Sequence, residues 1–85
     1  GYMTFSNGLI LQWGQTVAGA NAYSADTDFP IAFPNNVFSL VGSKSEGASG
    51  ASDGNDAGIE YVSLSQYKVY SDDNEQTINW IAIGN

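Results

Sequence analysis

Near its C-terminus the chain reads Gln-Thr-Ile-Asn-Trp-Ile-Ala-Ile-Gly over residues 76–84. Side chains alternate between the two faces of a β-strand, so Trp80 and its even-numbered neighbours share one face, whereas Ile81 and Ile83 share the other. A strand that is apolar on both faces is either central in a β-sandwich or covered on one side by a neighbouring subunit. This stretch therefore predicts a central β-strand.

The start of the chain predicts a β-hairpin. Asn7 and Gly8 separate two apolar runs, 2–5 and 9–13, and both turn residues tolerate the positive φ that a tight hairpin requires. A strand is predicted over residues 8–15, with Thr16 to Ala18 as its extension. Large aromatic side chains inside apolar strands are usually buried, so we expect both Trp13 and Trp80 to lie in the core.

The middle of the chain also favours strands and turns over helices. The pairs Phe29-Pro30 and Phe33-Pro34 predict an ordered turn that anchors two phenylalanine rings in the core, because proline lacks the N–H that a sheet interior needs. Further strands are predicted over 37–42, 61–64 and 66–70, and residues 43–58 are predicted to form a surface loop. The fold class is thus all-β, a small antiparallel β-sandwich of one domain over residues 1–85, with strands 8–15 and 76–84 both central.

The composition excludes several classes of function. The 85 residues carry a net charge of −7 and contain no Cys and no His. Lys44 and Lys68 are the two cations, so binding to nucleic acid or to an anionic membrane surface is disfavoured, and no apolar run is long enough to span a membrane. Without an imidazole or a thiolate, we expect no enzymatic activity and no zinc site.

Tyrosines and acidic turns are the candidate binding residues. A tyrosine combines a flat apolar ring with a hydroxyl that can bond to sugar hydroxyls. Tyr67 and Tyr70 have opposite parity in one strand, so only one of them can line the surface, and we expect it to be Tyr70. The turns 53–56 and 72–75 are rich in carboxylate and amide oxygens, so each is either a solvated turn or a site for a hard cation such as calcium. No cofactor is predicted, and calcium is left open.

Three sequence blocks resemble one known family. They are residues 1–3 with 7–14, residues 29–35, and residues 80–84. In this order and spacing they resemble the C-terminal tip domain of bacteriophage tail fibres. The resemblance implies a sandwich similar to H-type lectin domains, and a homotrimer at the distal end of a longer fibre protein of a phage or prophage. It also implies attachment to a bacterial surface receptor, which is a glycan or an outer-membrane protein.

The resemblance transfers no binding residue, so the site residues are predicted from their chemistry. In one hypothesis the domain is a receptor-binding module, and in the alternative it is a structural cap that trimerises and folds the fibre without touching the receptor. The predicted glycan-binding residues are Tyr23, Asp53, Asn55, Asp56, Tyr70, Asp72 and Asn74. The predicted trimer interface consists of Ile10, Ile81 and Ile83.

Overall fold

A computed structural model describes residues 1–20, 22–44, 57–71 and 75–85. All regular secondary structure in these ranges is β-strand, and none of them contains an apolar helix of membrane-spanning length. The strands are β1 (Tyr2–Thr4), β2 (Ile10–Ala18), β3 (Ala22–Tyr23), β4 (Thr27–Asp28), β5 (Val37–Lys44), β6 (Ala57–Tyr61), β7 (Gln66–Ser71) and β8 (Gln76–Gly84).

The strands form two antiparallel sheets, which confirms the predicted all-β class. The first sheet has the order β1-β2-β8-β5, so both end strands of the sequence are central in it, as predicted. In the second sheet β7 is central, with β6 on one edge and the short strands β3 and β4 on the other. The inner faces of the two sheets enclose the core.

The N-terminal hairpin forms where the sequence predicts it. Thr4 lies opposite Ile10, and the connecting turn places Gly8 at a φ of 90°. The side-chain oxygen of Asn7 accepts a hydrogen bond from the Leu9 N–H at 3.0 Å. Asn and Gly thus fill the roles for which their conformational freedom suits them. Strand β2 then continues to residue 18, the predicted extension.

Four aromatic rings dominate the core. The rings of Phe29 and Phe33 meet edge to face at 5.1 Å, and Phe29 also contacts Tyr67 at 5.0 Å and Trp80 at 5.7 Å. All four side chains are buried. The turn between β4 and β5 therefore anchors both phenylalanines as the two Phe-Pro pairs predict. Tilted and edge-to-face arrangements of this kind are the favoured geometries for aromatic pairs.

A buried glutamine attaches this turn to the first sheet. Gln12 points inward from β2 and has no exposed surface. Its Nε2 donates to the Ile31 carbonyl at 2.8 Å, and its Oε1 accepts from the Ile31 N–H at 3.0 Å. The carboxamide thus pairs with both backbone groups of one turn residue, as a neighbouring strand would, which offsets the cost of burying a polar side chain.

Two predictions about the faces of β2 are wrong. Trp13 is 42% exposed and lies on the outer face, whereas Ile10 is 6% exposed and belongs to the core of its own protomer. Ile10 therefore cannot form an interface together with Ile81 and Ile83, which lie on the opposite face of the sheet. Apolar residues occupy both faces of β2, and only its pairing with β8 decides which face is internal.

The strand predicted over residues 61–64 is displaced towards the N-terminus. The structure places β6 at Ala57–Tyr61, so the strand begins within the predicted loop 43–58, and residues 62–65 form a turn. Register with β7 explains the shift, since Ile59 pairs with Val69 on the inner face. Gly58 precedes Ile59, and this glycine and Ala57 lower the apparent strand propensity of the segment in the sequence.

Candidate functional site

The outer face of the second sheet gathers aromatic and polar side chains. We call this surface the tyrosine face. Tyr23 of β3 pairs with Tyr70 of β7, and their ring centroids are 5.0 Å apart with the planes tilted by 51°. Tyr67 is buried beneath the sheet, so the parity of β7 is as predicted. The tyrosine face comprises Tyr23, Asp28, Glu60, Gln66, Lys68 and Tyr70.

The side chain of Tyr23 crosses β7 from one neighbouring strand to the other. The Lys68 ammonium lies 4.4 Å from the centroid of the Tyr23 ring, and the Glu60 carboxylate lies close enough to the Tyr23 hydroxyl to raise its pKa. Lys68 also pairs with Glu60 at 4.0 Å. The attraction between the ammonium and the face of the ring stabilises this arrangement. Side chains from three strands therefore meet at one exposed aromatic ring.

A second pair closes the far end of the tyrosine face. The Nε2 of Gln66 donates to Oδ1 of Asp28 at 2.9 Å, between β7 and β4. Among the described residues this face thus carries two carboxylates and one ammonium, and the ammonium is paired. The surface is polar and aromatic, with a slight excess of negative charge.

The Glu60 carboxylate raises the pKa of Tyr23, first through the hydrogen bond and then through its charge. We expect Glu60→Gln to lower the pKa of Tyr23 towards the ordinary value for tyrosine, because the charge that opposes phenolate formation is removed. The ring-carbon resonance of Tyr23, followed by NMR as pH rises, measures the change.

Asp28→Asn is the matched control for this titration. It removes a carboxylate from the same face, but Asp28 bonds to Gln66 rather than to Tyr23. A Tyr23 pKa that stays the same in Glu60→Gln would contradict the influence of the Glu60 carboxylate on the Tyr23 hydroxyl.

The outer face of the first sheet has the opposite character. Trp13, Ile81 and Val41 form a row across β2, β8 and β5, and their exposed fractions are 42%, 49% and 62%. Among the described residues, no charged side chain lies on this face, although the sequence has nine acidic residues. We call this surface the apolar face; its apolar residues are Met3, Leu11, Trp13, Val17, Val41, Ile81 and Ile83.

A shallow recess lies beside this row. Its volume is about 130 Å³, and it is lined by residues of β5 and β8 that include Val41, Gly42 and Ile81. A recess beside the exposed Val41 and Ile81 gives the apolar face both protrusions and a depression, which allows complementary packing between protein surfaces.

Only some of the predicted site residues lie in the described part of the chain. Tyr23 and Tyr70 come together on the tyrosine face, and Ile81 and Ile83 lie together on the apolar face. The remaining predicted glycan-binding residues lie outside the described residues; they are Asp53, Asn55, Asp56, Asp72 and Asn74. Within the described ranges, no group of three or more His, Cys, Asp or Glu residues could hold a metal ion.

Sequence reasoning missed Lys68 and Glu60 on one face, and Trp13 and Val41 on the other. The pair Lys68 and Glu60 depends on the register between β6 and β7, which the displaced strand prediction hides. Trp13 lies opposite Ile81 because β2 and β8 pair in the observed register. The sequence gives no direct indication of that register.

Comparisons with known proteins agree with this fold. The family model described as "tail fiber protein gp53-like, C-terminal" matches residues 4–85. An N-truncated R2-type pyocin tail fibre is similar at a TM-score of 0.81 and 24% identity, over 93% of this chain and 31% of the pyocin chain. The C-terminal part of the P. aeruginosa R2 pyocin fibre, residues 323–691, is similar at a TM-score of 0.79. It also has 24% identity, over 93% of this chain and 21% of the pyocin chain.

A third solved structure is more distant in shape. The P. aeruginosa R1 pyocin fibre has 27% identity and a TM-score of 0.55, over 93% of this chain and 24% of the fibre chain. The chain thus spans about a third or less of each pyocin fibre chain it resembles. No curated protein sequence matches it significantly. Because the family model covers nearly all of its residues, the chain belongs to the gp53-like tail fibre family, as a C-terminal domain of a phage- or pyocin-type tail fibre.

Proposed function

We propose that this domain binds a bacterial surface glycan at the tip of a trimeric tail fibre. The observation that carries the proposal is the contrast between the two outer faces. One face is uncharged in its described residues and has an exposed apolar row, and the other is polar and aromatic. The first suits contact with further copies of the chain, and the second offers the aromatic and hydrogen-bonding groups that suit a glycan receptor.

The apolar face supports assembly through like copies. Soluble monomers rarely expose a contiguous apolar surface of this kind, which usually marks an interface. Each chain carries a net charge of −7, so two copies repel one another except where a surface lacks acidic groups. The row of Trp13, Ile81 and Val41 is such a surface. Three copies packed through it would turn their tyrosine faces away from the fibre axis.

Binding without catalysis is the chemistry that the described surface supports. Two depressions there have volumes of about 130 and 210 Å³, and typical small-molecule pockets measure about 300–1,000 Å³. Shallow surfaces bind glycans weakly, but three copies on one fibre increase the overall affinity through multivalency. We therefore propose that the domain is an adhesin and has no enzymatic role. The acidic turns 53–56 and 72–75 remain predicted contributors to the receptor contact.

The substitution Ile81→Glu tests the assembly. The wild-type protein should sediment near 27 kDa, three times its mass of 9.0 kDa, and Ile81→Glu should sediment as a monomer. The reason is that each interface would have to bury an unpaired carboxylate. Ala25→Glu is the matched control, because Ala25 is exposed in the loop between β3 and β4, outside the apolar face. A wild-type monomer at high micromolar concentration would overturn the trimer.

Binding to arrayed bacterial polysaccharides and to whole bacteria tests the receptor role. We expect the wild-type trimer to bind a subset of strains and Ile81→Glu to bind the same strains more weakly, because it loses multivalency. A trimer that binds no polysaccharide and no cells would overturn receptor binding. That result would leave the structural cap as the function, which the apolar face alone supports.

A further inference from the structure

We infer that Tyr23 and Tyr70 form a preorganised platform for the ring of an uncharged pyranose, with Lys68 and Glu60 fixing its geometry. This inference rests on the proposed receptor-binding function and specifies the site and the class of sugar. The face of a pyranose that bears axial C–H groups is apolar, and it stacks on flat aromatic rings. Tyrosine suits this contact because it adds a polar hydroxyl to an apolar ring at low entropic cost.

Tyr23 has the exposure that stacking requires, and Tyr70 is half-buried. Tyr23 is 51% exposed, and Tyr70 lies beside it with the ring centroids 5.0 Å apart. The two ring planes are tilted by 51°, so together they form an angled rather than a flat surface. Because Lys68 covers one face of the Tyr23 ring, the sugar would stack on the other face.

The platform is held in place before any ligand arrives. Tyr23 is flanked by the Lys68 ammonium at 4.4 Å and by the Glu60 carboxylate, and Lys68 and Glu60 themselves lie 4.0 Å apart. A side chain that is already ordered loses little conformational entropy on binding, so more of the contact energy contributes to affinity.

The charges favour an uncharged ligand. Lys68 is already engaged by Glu60, and the only other cation of the sequence, Lys44, ends β5 in the first sheet. A phosphorylated or carboxylated sugar would meet the carboxylates of Glu60 and Asp28 and the net charge of −7 per chain. Those two carboxylates can instead accept hydrogen bonds from neutral sugar hydroxyls.

NMR titration of the wild-type protein tests the platform directly. The probes are the methyl glycosides of glucose, galactose, mannose and rhamnose, and a phosphorylated glucose serves as the charged counterpart. We expect at least one methyl glycoside to shift the ring resonances of Tyr23 and Tyr70 and to leave those of Tyr61 unchanged. A stronger response to the phosphorylated glucose would overturn the assignment to uncharged sugars.

Tyr23→Ala and Tyr70→Ala, measured on the same polysaccharide array, provide the second test. We expect each to weaken binding at least about tenfold, the scale for loss of a central aromatic contact. Tyr61→Ala is the matched control, because Tyr61 is also 51% exposed but pairs with the buried Tyr67 rather than lying on the tyrosine face. Each variant is first shown to keep the wild-type sedimentation coefficient and melting temperature.

The outcomes distinguish a failure of the tyrosine platform from a failure of the receptor-binding function. If the wild-type protein binds a polysaccharide and both variants bind it equally well, the platform is overturned and the receptor role stands. If the wild-type protein binds neither the array, nor cells, nor any methyl glycoside, the receptor role and the platform both fall. If a variant fails to fold, the wild-type ring resonances alone decide, because their response to the methyl glycosides needs no substitution.

Discussion

Gly84→Ala should lower the free energy of unfolding by more than about 3 kcal/mol, the upper range for overpacking a core. A β-carbon at this position would overlap with the carbonyl oxygen of Asn36 and lie 2.7 Å from Cδ1 of Phe33. Neither neighbour can withdraw, since the Asn36 carbonyl accepts a hydrogen bond from the Asn85 N–H at 2.9 Å and the Phe33 ring is buried.

Urea denaturation followed by tryptophan fluorescence measures this effect, at one protein concentration because assembly contributes to stability. Gly58→Ala is the matched control. A β-carbon at Gly58 meets nothing within 4 Å, so its effect should stay within about 0.5 kcal/mol. A Gly84→Ala protein with the wild-type denaturation midpoint would contradict the close approach of β8 to the turn between β4 and β5.

Gln12→Leu should cost about 2–4 kcal/mol, although leucine is apolar and similar in size. The substitution leaves both the N–H and the carbonyl of Ile31 without their partner, and each unsatisfied buried group costs about 1–3 kcal/mol. The loss should also loosen the turn that carries Phe29 and Phe33. Faster amide hydrogen exchange at Ile31 and Phe33 would report that local effect.

Gln66→Leu is the matched control, because it also removes a side-chain amide but leaves the contact between Gln12 and Ile31 intact. Gln66 also makes a side-chain hydrogen bond, to Asp28 at 2.9 Å, but at an exposed position. Water can replace that bond, so its removal should cost less than about 1 kcal/mol. Equal stabilities for Gln12→Leu and Gln66→Leu would mean that the buried carboxamide does not hold the turn.

Much of the fold could be predicted because its signals are local. The hairpin at Asn7 and Gly8 depends on the φ of one glycine, and the Phe-Pro turn depends on two prolines within five residues. The alternation in residues 76–84 marks a central strand by itself. All three predictions are confirmed, and they rest on interactions between residues that are near one another in sequence.

The candidate sites are less predictable because they combine distant residues. The tyrosine face brings Tyr23 of β3 beside Lys68 and Tyr70 of β7, and Glu60 joins them from β6. The exposed tyrosines could be named from their chemistry and parity, but their partners could not. A shift of one residue in the pairing of β6 with β7 would move Glu60 to the other face.

The sequence by itself determined the all-β class, the central strands and the anchoring of the phenylalanines. Each of these follows from residue type or from short-range pattern. Only the tertiary structure decided that Ile10 is internal and Trp13 external. Both faces of β2 carry apolar residues, so which of them is internal depends on the face that the second sheet covers. That depends on contacts between segments far apart in the chain, and those contacts also define the apolar face and the tyrosine face.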